Sequence, residues 1–220
     1  MRLRNVRGAR DVLAENSYVL TEQESGPGLW SKVFGNENPV YMEIGMGKGK
    51  FLFEMAALHP DINYIGVEMY ASVLIRAVQK LDKDKELPNI RFLNVQAESL
   101  GNFFAPDEVD QIYLNFSDPW PKARHAKRRL TSPVFLKRYE GFLKNGGLLE
   151  FKTDNRELFE YSLESIESGG WELLSRTFDL HADAELCEGN VMTEYEQKFS
   201  RQGQAICKLT AACRKQDENP

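Results

Sequence analysis

The chain has 220 residues, 42% hydrophobic and 28% charged, with a formal net charge of −5. These values suit a soluble globular protein of one ordinary domain with a real hydrophobic core. No run approaches the ~18 apolar residues of a membrane span, and the N-terminus lacks a signal peptide's apolar core, so a cytoplasmic protein without membrane partners is expected.

Cys187, Cys207 and Cys213 form no CxxC pair, and the three histidines are scattered. No metal site is therefore expected, and the thiols read as free, buried and reduced. The charge is unevenly spread. Between Lys122 and Arg129 stand five Lys/Arg, one His and no acid, and Arg2, Arg4, Arg7 and Arg10 make a second basic cluster. A locally basic face on an acidic protein is compatible with a polyanionic partner.

Residues 1–20 show no clear period and read as a flexible basic arm, either solvated or folding on RNA. Gly26-Pro27-Gly28 signals a turn. Leu29, Trp30, Val33 and Phe34 are spaced to bury one face of a short helix. Residues 40–44 read as the first strand and run into Gly45-Met46-Gly47-Lys48-Gly49. Phe51, Leu52, Met55, Ala56 and Leu58 then recur at helical spacing. Residues 63–67 form a second strand closed by Glu68, and Val73, Leu74, Ala77, Val78 and Leu81 mark the next helix. A third strand over 90–95, a short helix around Leu100 and Phe103, and a fourth strand over 111–116 follow.

Residues 134–143 read as a helix stopped by Asn145-Gly146-Gly147, and 148–151 as the fifth strand. A helix around Leu158, Phe159 and Ile166 has Asp154 or Asn155 as its cap. Strands over 171–178 and 205–211 flank a Glu- and Tyr-rich stretch, 181–202, that reads as irregular. Strands alternating with helices imply an α/β fold, with a mostly parallel sheet of seven strands covered on both faces and an antiparallel edge. One domain over 21–213 with a polar tail over 214–220 is expected.

The chemistry gathers at strand ends. EIGMGKG places Gly45, Gly47 and Gly49 between a strand and a helix, where backbone approaches a ligand closely. The spacing is G-x-G-x-G rather than the dinucleotide G-x-G-x-x-G, and with Glu43 it suits S-adenosylmethionine, whose cationic methionine end gains from a nearby carboxylate. Glu68 is placed to accept ribose hydroxyls, and Gln96 to meet an adenine edge. Asp118 and Asp154 follow the fourth and fifth strands.

Residues 117–121, SDPWP, form a proline-stiffened loop: an acid and an aromatic plane followed by the cations. That combination suits a nucleobase beside its phosphates. The alternatives are a solvated charge run, a non-catalytic RNA-binding protein with a relic cofactor fold, and an NAD-linked Rossmann enzyme.

EIGMGKGKF, NYIGVE, YLNFSDPWPKARHAKRRL, FKTDN and NVMTEYEQKF together resemble the bacterial tRNA (guanine-N7)-methyltransferases. The resemblance implies a Rossmann-like class I methyltransferase fold, with methyl transfer from S-adenosylmethionine to N7 of guanosine 46 in the tRNA variable loop. It carries cofactor contacts onto Glu43, Glu68, Gln96 and Asp118, and makes Asp118 the catalytic acid. It carries substrate contacts onto Lys122, Asp154, Thr193, Glu194, Tyr195 and Glu196. It makes Arg124, His125, Lys127, Arg128 and Arg129 the RNA-binding segment. Position 96, often acidic in such proteins, is Gln here, and Ala123 and Ala126 replace residues commonly polar or charged. The expected partner is tRNA, not DNA, and the expected assembly is a monomer or homodimer.

Overall fold

The computed structural model describes residues 6–84 and 86–215, with the side chains of 82–84 left aside. Two compact units are present, Met1–Ala105 and Pro106–Pro220.

In the first unit, β1 (Val40–Ile44), β2 (Asn63–Val67) and β3 (Ile90–Leu93) pair in parallel in the order β3-β2-β1. Every residue of β2 is buried, as a strand covered on both faces requires. Helices α3 (Lys50–Leu58) and α4 (Ala71–Asp84) make the crossovers. α2 (Trp30–Phe34) buries Trp30, whose indole N–H donates to the Phe103 carbonyl at 2.8 Å while its ring stacks on Phe104 at 5.0 Å. The indole thus buries a large apolar surface and still satisfies its one donor.

Within the stretch expected to be a flexible arm, residues 6–20 are described. α1 (Ala9–Ala14) buries Ala9 and Leu13. The Phe92 N–H donates to Tyr18 O and the Leu20 N–H to Phe92 O, so this segment bridges to the outer side of β3. Arg7 and Arg10 are exposed, whereas Arg2 and Arg4 lie outside the described residues.

In the second unit, β4 (Val109–Asn115) pairs in parallel with β5 (Leu143–Thr153). β7 (Cys207–Ala212) runs antiparallel between β5 and β6 (Glu172–Thr177), giving the order β4-β5-β7-β6. Among the described residues the chain thus has seven strands in a Rossmann-like α/β arrangement, mostly parallel with an antiparallel edge.

α5 (Pro133–Glu140) ends at Gly141, not at Asn145-Gly146-Gly147. Those residues instead belong to β5, where its pairing with β4 shifts register. Gly147 is required there: a Cβ would fall 2.8 Å from Leu143 Cγ and 2.9 Å from Lys144 O. The stretch expected to be irregular contains α7 (Ala184–Cys187) and α8 (Glu194–Ser200), capped by the side chains of Asp183 and Thr193. α6 (Arg156–Ser168) is capped by Asn155, whose side-chain oxygen accepts from the Leu158 N–H at 2.8 Å. Asp154 is thereby released from capping.

Cys207 and Cys213 are buried and Cys187 half-buried, all free. Burial raises the Cys213 thiol to about 11. Among the described residues no helix is long and apolar enough to cross a membrane, and no group of three or more His, Cys, Asp or Glu is placed to hold a metal.

Gly66, in the middle of β2, would place a Cβ 2.2 Å from Met46 Sδ and 2.8 Å from Leu52 Cδ2. Gly66→Ala is expected to destabilise the protein by about 1–3 kcal/mol through overpacking. Urea unfolding against Gly101→Ala, where a Cβ meets open space, measures the difference.

Candidate active site

The first unit gathers its polar groups at the carboxyl ends of β1 to β3, where open α/β sheets bind ligands. Glu43 is buried near the end of β1. Beyond it the chain turns through Gly45, Gly47 and Gly49, all left-handed, with φ of 83°, 58° and 78°. Gly45 and Gly47 have open space where a Cβ would stand, so the loop presents bare backbone. Gly49 is needed for packing as well, since its Cβ would fall 2.7 Å from the Phe53 ring.

Glu68, just past β2, accepts from the Gly47 N–H at 3.2 Å and the Tyr70 N–H at 2.9 Å. It therefore fixes the glycine turn, and a carboxylate retains further lone pairs for ligand hydroxyls. Gln96 is exposed and begins the 3-10 turn Ala97–Asn102. A cavity of about 490 Å³ is lined by Gln96, Asn94 and Met69 together with Arg10 and Leu13. This contribution of α1 was not foreseen, because its six residues are too few to show a helical period.

In the second unit β4 and β5 end side by side. Asn115 pairs with Lys152, and the Phe116 N–H donates to Lys152 O at 2.8 Å. The chain then enters the SDPWP loop. Phe116 and Trp120 hold left-handed backbone, with φ of 54° and 41°, on either side of exposed Asp118. Such conformations cost a residue other than glycine on the order of 1–3 kcal/mol and persist only where surrounding contacts impose them.

The contacts are visible. The Phe116 ring lies 4.9 Å from that of Tyr195, and Arg128 lies over the Trp120 ring at 4.9 Å with His125 edge-on at 5.6 Å. Arg124, Lys127 and Arg128 are exposed on the 3-10 turn Ala123–Arg128, and Lys122 is exposed just before it. Arg129, expected in the RNA-binding segment, differs from these cations in its surroundings. It is half-buried, with Nε donating to Pro119 O and Nη2 to Trp120 O, each at 3.1 Å.

Past β5, Asp154 accepts from Gln204 Nε2 at 3.0 Å and stands 3.5 Å from the Tyr195 hydroxyl. Burial, and then the Asp154 carboxylate, raises the Tyr195 phenol above its ordinary pKa, so it remains protonated. Tyr195 is 43% exposed and stacks on Phe199 at 4.2 Å, which leaves an aromatic surface beside a carboxylate.

Two of the expected substrate residues make internal hydrogen bonds. Thr193 Oγ1 accepts from the Glu196 N–H at 2.9 Å and caps α8. Glu196, expected at the substrate, is 0% exposed. One of its oxygens accepts from Lys152 Nζ at 2.9 Å and the other from Asn190 Nδ2 at 2.7 Å, with His181 Nε2 at 3.4 Å. Lys152, also 0% exposed, donates besides to Asn190 Oδ1 at 3.1 Å and Val191 O at 3.0 Å. All three ammonium protons thus have acceptors. The pair pins α8, and Tyr195 with it, to β5, the strand that Asp154 follows. Glu194 is exposed.

The fold is similar to those of solved methyltransferase structures. An antibiotic-related methyltransferase superposes with a TM-score of 0.64 at 16% identity, covering 89% of this chain and 95% of that one. The 16S rRNA methyltransferase KamB gives a TM-score of 0.64 at 15% identity, covering 84% and 93%. At such identities the likeness defines the fold alone: a Rossmann-like class I methyltransferase.

The sequence goes further. A family model described as "Putative methyltransferase" matches residues 37–209. The tRNA (guanine-N(7)-)-methyltransferase of Lachnoclostridium phytofermentans is 55% identical over 211 residues, 96% of this chain and 98% of that protein. That of Bacillus subtilis is 52% identical over 207 residues, 94% and 96%. The chain belongs to the tRNA (guanine-N(7)-)-methyltransferase family.

Removing one partner of a fully buried ion pair leaves an uncompensated charge. Lys152→Met is expected to cost about 3–5 kcal/mol in urea unfolding, and Lys152→Met combined with Glu196→Leu markedly less. Equal losses in the two proteins would show that the pair does not act as a unit.

Proposed function

We propose that this protein transfers the methyl group of S-adenosylmethionine to N7 of guanosine 46 in the variable loop of tRNA. The observation that carries the reading is the 52–55% identity, over nearly the whole chain, to proteins named for methylating tRNA guanine at N7. The site chemistry agrees with it.

The turn through Gly45, Gly47 and Gly49, whose first two glycines leave their Cβ space open, fits a ligand that needs close backbone approach. Glu43 would balance the cationic end of the cofactor, Glu68 would take ribose hydroxyls, Gln96 would meet the adenine edge, and Asp118 would complete the contacts. When bound, the cofactor supplies an electrophilic methyl group on a sulfonium. N7 of guanine has an in-plane lone pair and no proton, so the protein needs no general base.

The purine gains positive charge as the N–C bond forms and the C–S bond breaks. The Asp118 carboxylate stabilises that charge, and holding the base in line supplies much of the remaining rate. Asp154 is placed to accept from the guanine N1–H and exocyclic amine beside the Tyr195 ring, with Lys122, Thr193 and Glu194 bordering the substrate. Arg124, His125, Lys127 and Arg128 provide phosphate contacts, which position RNA without reading it.

Labelled transfer to unmodified tRNA followed by nucleoside analysis tests the reading. It predicts 7-methylguanosine, abolished when guanosine 46 is replaced by adenosine. A different methylated nucleoside, or product that survives the replacement, would contradict it. Arg124→Ala with Lys127→Ala should also lower the salt dependence of tRNA binding by about two units of slope, with cofactor affinity kept.

A further inference from the structure

Arg129 stands at the end of the basic strip, yet its surroundings differ from those of the other cations. Arg124, Lys127 and Arg128 are exposed, while Arg129 is half-buried. Its guanidinium lies 4.2 Å over the ring of Tyr161 on α6, and two of its N–H groups donate to consecutive carbonyls, Pro119 and Trp120. These carbonyls belong to the loop that carries Asp118. The second of them is Trp120's own, on a residue in left-handed backbone at φ 41°.

Arg129 is itself firmly placed. Its N–H donates to Ala126 O at 3.0 Å, and its carbonyl accepts from the Ser132 N–H at 2.9 Å, where α5 begins. Next to it, Leu130 O accepts from the Tyr139 hydroxyl at 3.1 Å, and Thr131 Oγ1 lies 2.6 Å from Ser162 Oγ of α6. A fixed backbone, an aromatic seat and a planar fork spanning two carbonyls form a brace.

We propose that Arg129 is a positioning residue, which holds the SDPWP loop in its strained backbone and so sets Asp118 against the guanine, rather than a phosphate contact. The inference rests on Asp118 being the group that faces the base. Lysine is not an equivalent here. An ammonium would keep a phosphate contact, but it lacks the planar fork that reaches two carbonyls at once and the flat face that stacks on Tyr161. The two roles therefore separate on one substitution.

Arg129→Lys and Arg129→Ala are measured for kcat at saturating tRNA, for the salt dependence of tRNA binding, for cofactor affinity and for thermal midpoint. A brace predicts that kcat falls about 10²-fold in both, the scale set by an ångström of misplacement, with salt slope and thermal midpoint close to the parent's and cofactor affinity changed by no more than in Asp118→Ala. A phosphate contact predicts that Arg129→Lys retains kcat and that Arg129→Ala lowers the salt slope by about one; this result overturns the proposal. So does loss of activity in Arg129→Lys that follows a collapse of thermal midpoint, which would mark a general structural role. If Arg129→Ala does not fold, Arg129→Lys decides alone. Absence of 7-methylguanosine with the parent protein would instead refute the reading of function on which this rests.

Discussion

The ammonium of Lys152 is the interaction on which the second half of the site depends. It is fully buried in β5 and spends its three protons on Glu196, Asn190 and Val191. A buried charge is tolerable only when paired and hydrogen-bonded, so these partners have little freedom to leave. Everything that faces outward from α8 inherits that placement. Tyr195, one residue from the buried Glu196, stands beside Asp154 because the helix cannot shift without exposing or stranding a charge.

A second constraint acts on the neighbouring loop. Phe116 and Trp120 occupy backbone that glycine would adopt freely, yet both carry rings that the site uses: Phe116 lies against Tyr195, and Trp120 lies beneath Arg128. Glycine would relieve the strain and lose the packing. A strained loop with a carboxylate between two aromatic anchors is costly to hold, and such arrangements cluster at functional sites.

Much of this was legible in the sequence, for identifiable reasons. β1 and β2 stand at the expected residues because strands buried on both faces are continuous apolar runs, and the glycines and acids at their ends punctuate them. The acids after each strand pointed to the rim because parallel sheets place ligands there. Asn145-Gly146-Gly147 misled because the same residues serve as helix stop and as strand irregularity; only the contacts of Gly147 decide between them. α8 carried a local signal, the T-x-x-E box from Thr193 to Glu196, that outweighs the apparent irregularity of its surroundings.

The inward turn of Arg129 and the burial of Lys152 were not legible. Nothing in a run of cations distinguishes the one that folds back onto two carbonyls, and a lysine after Phe151 reads equally well as the exposed end of a strand. Their roles follow from partners far along the chain, Tyr161 for one and Glu196 for the other.

The charge of Asp118 is the central chemical claim, and Asp118→Asn tests it by keeping the side chain's shape while removing the negative charge. Single-turnover methyl transfer at saturating tRNA and cofactor is the measurement. Electrostatic support of the developing purine cation predicts a rate lower by about 10²-fold or more. A rate within about twofold of the parent would show that the carboxylate's charge does not drive the reaction.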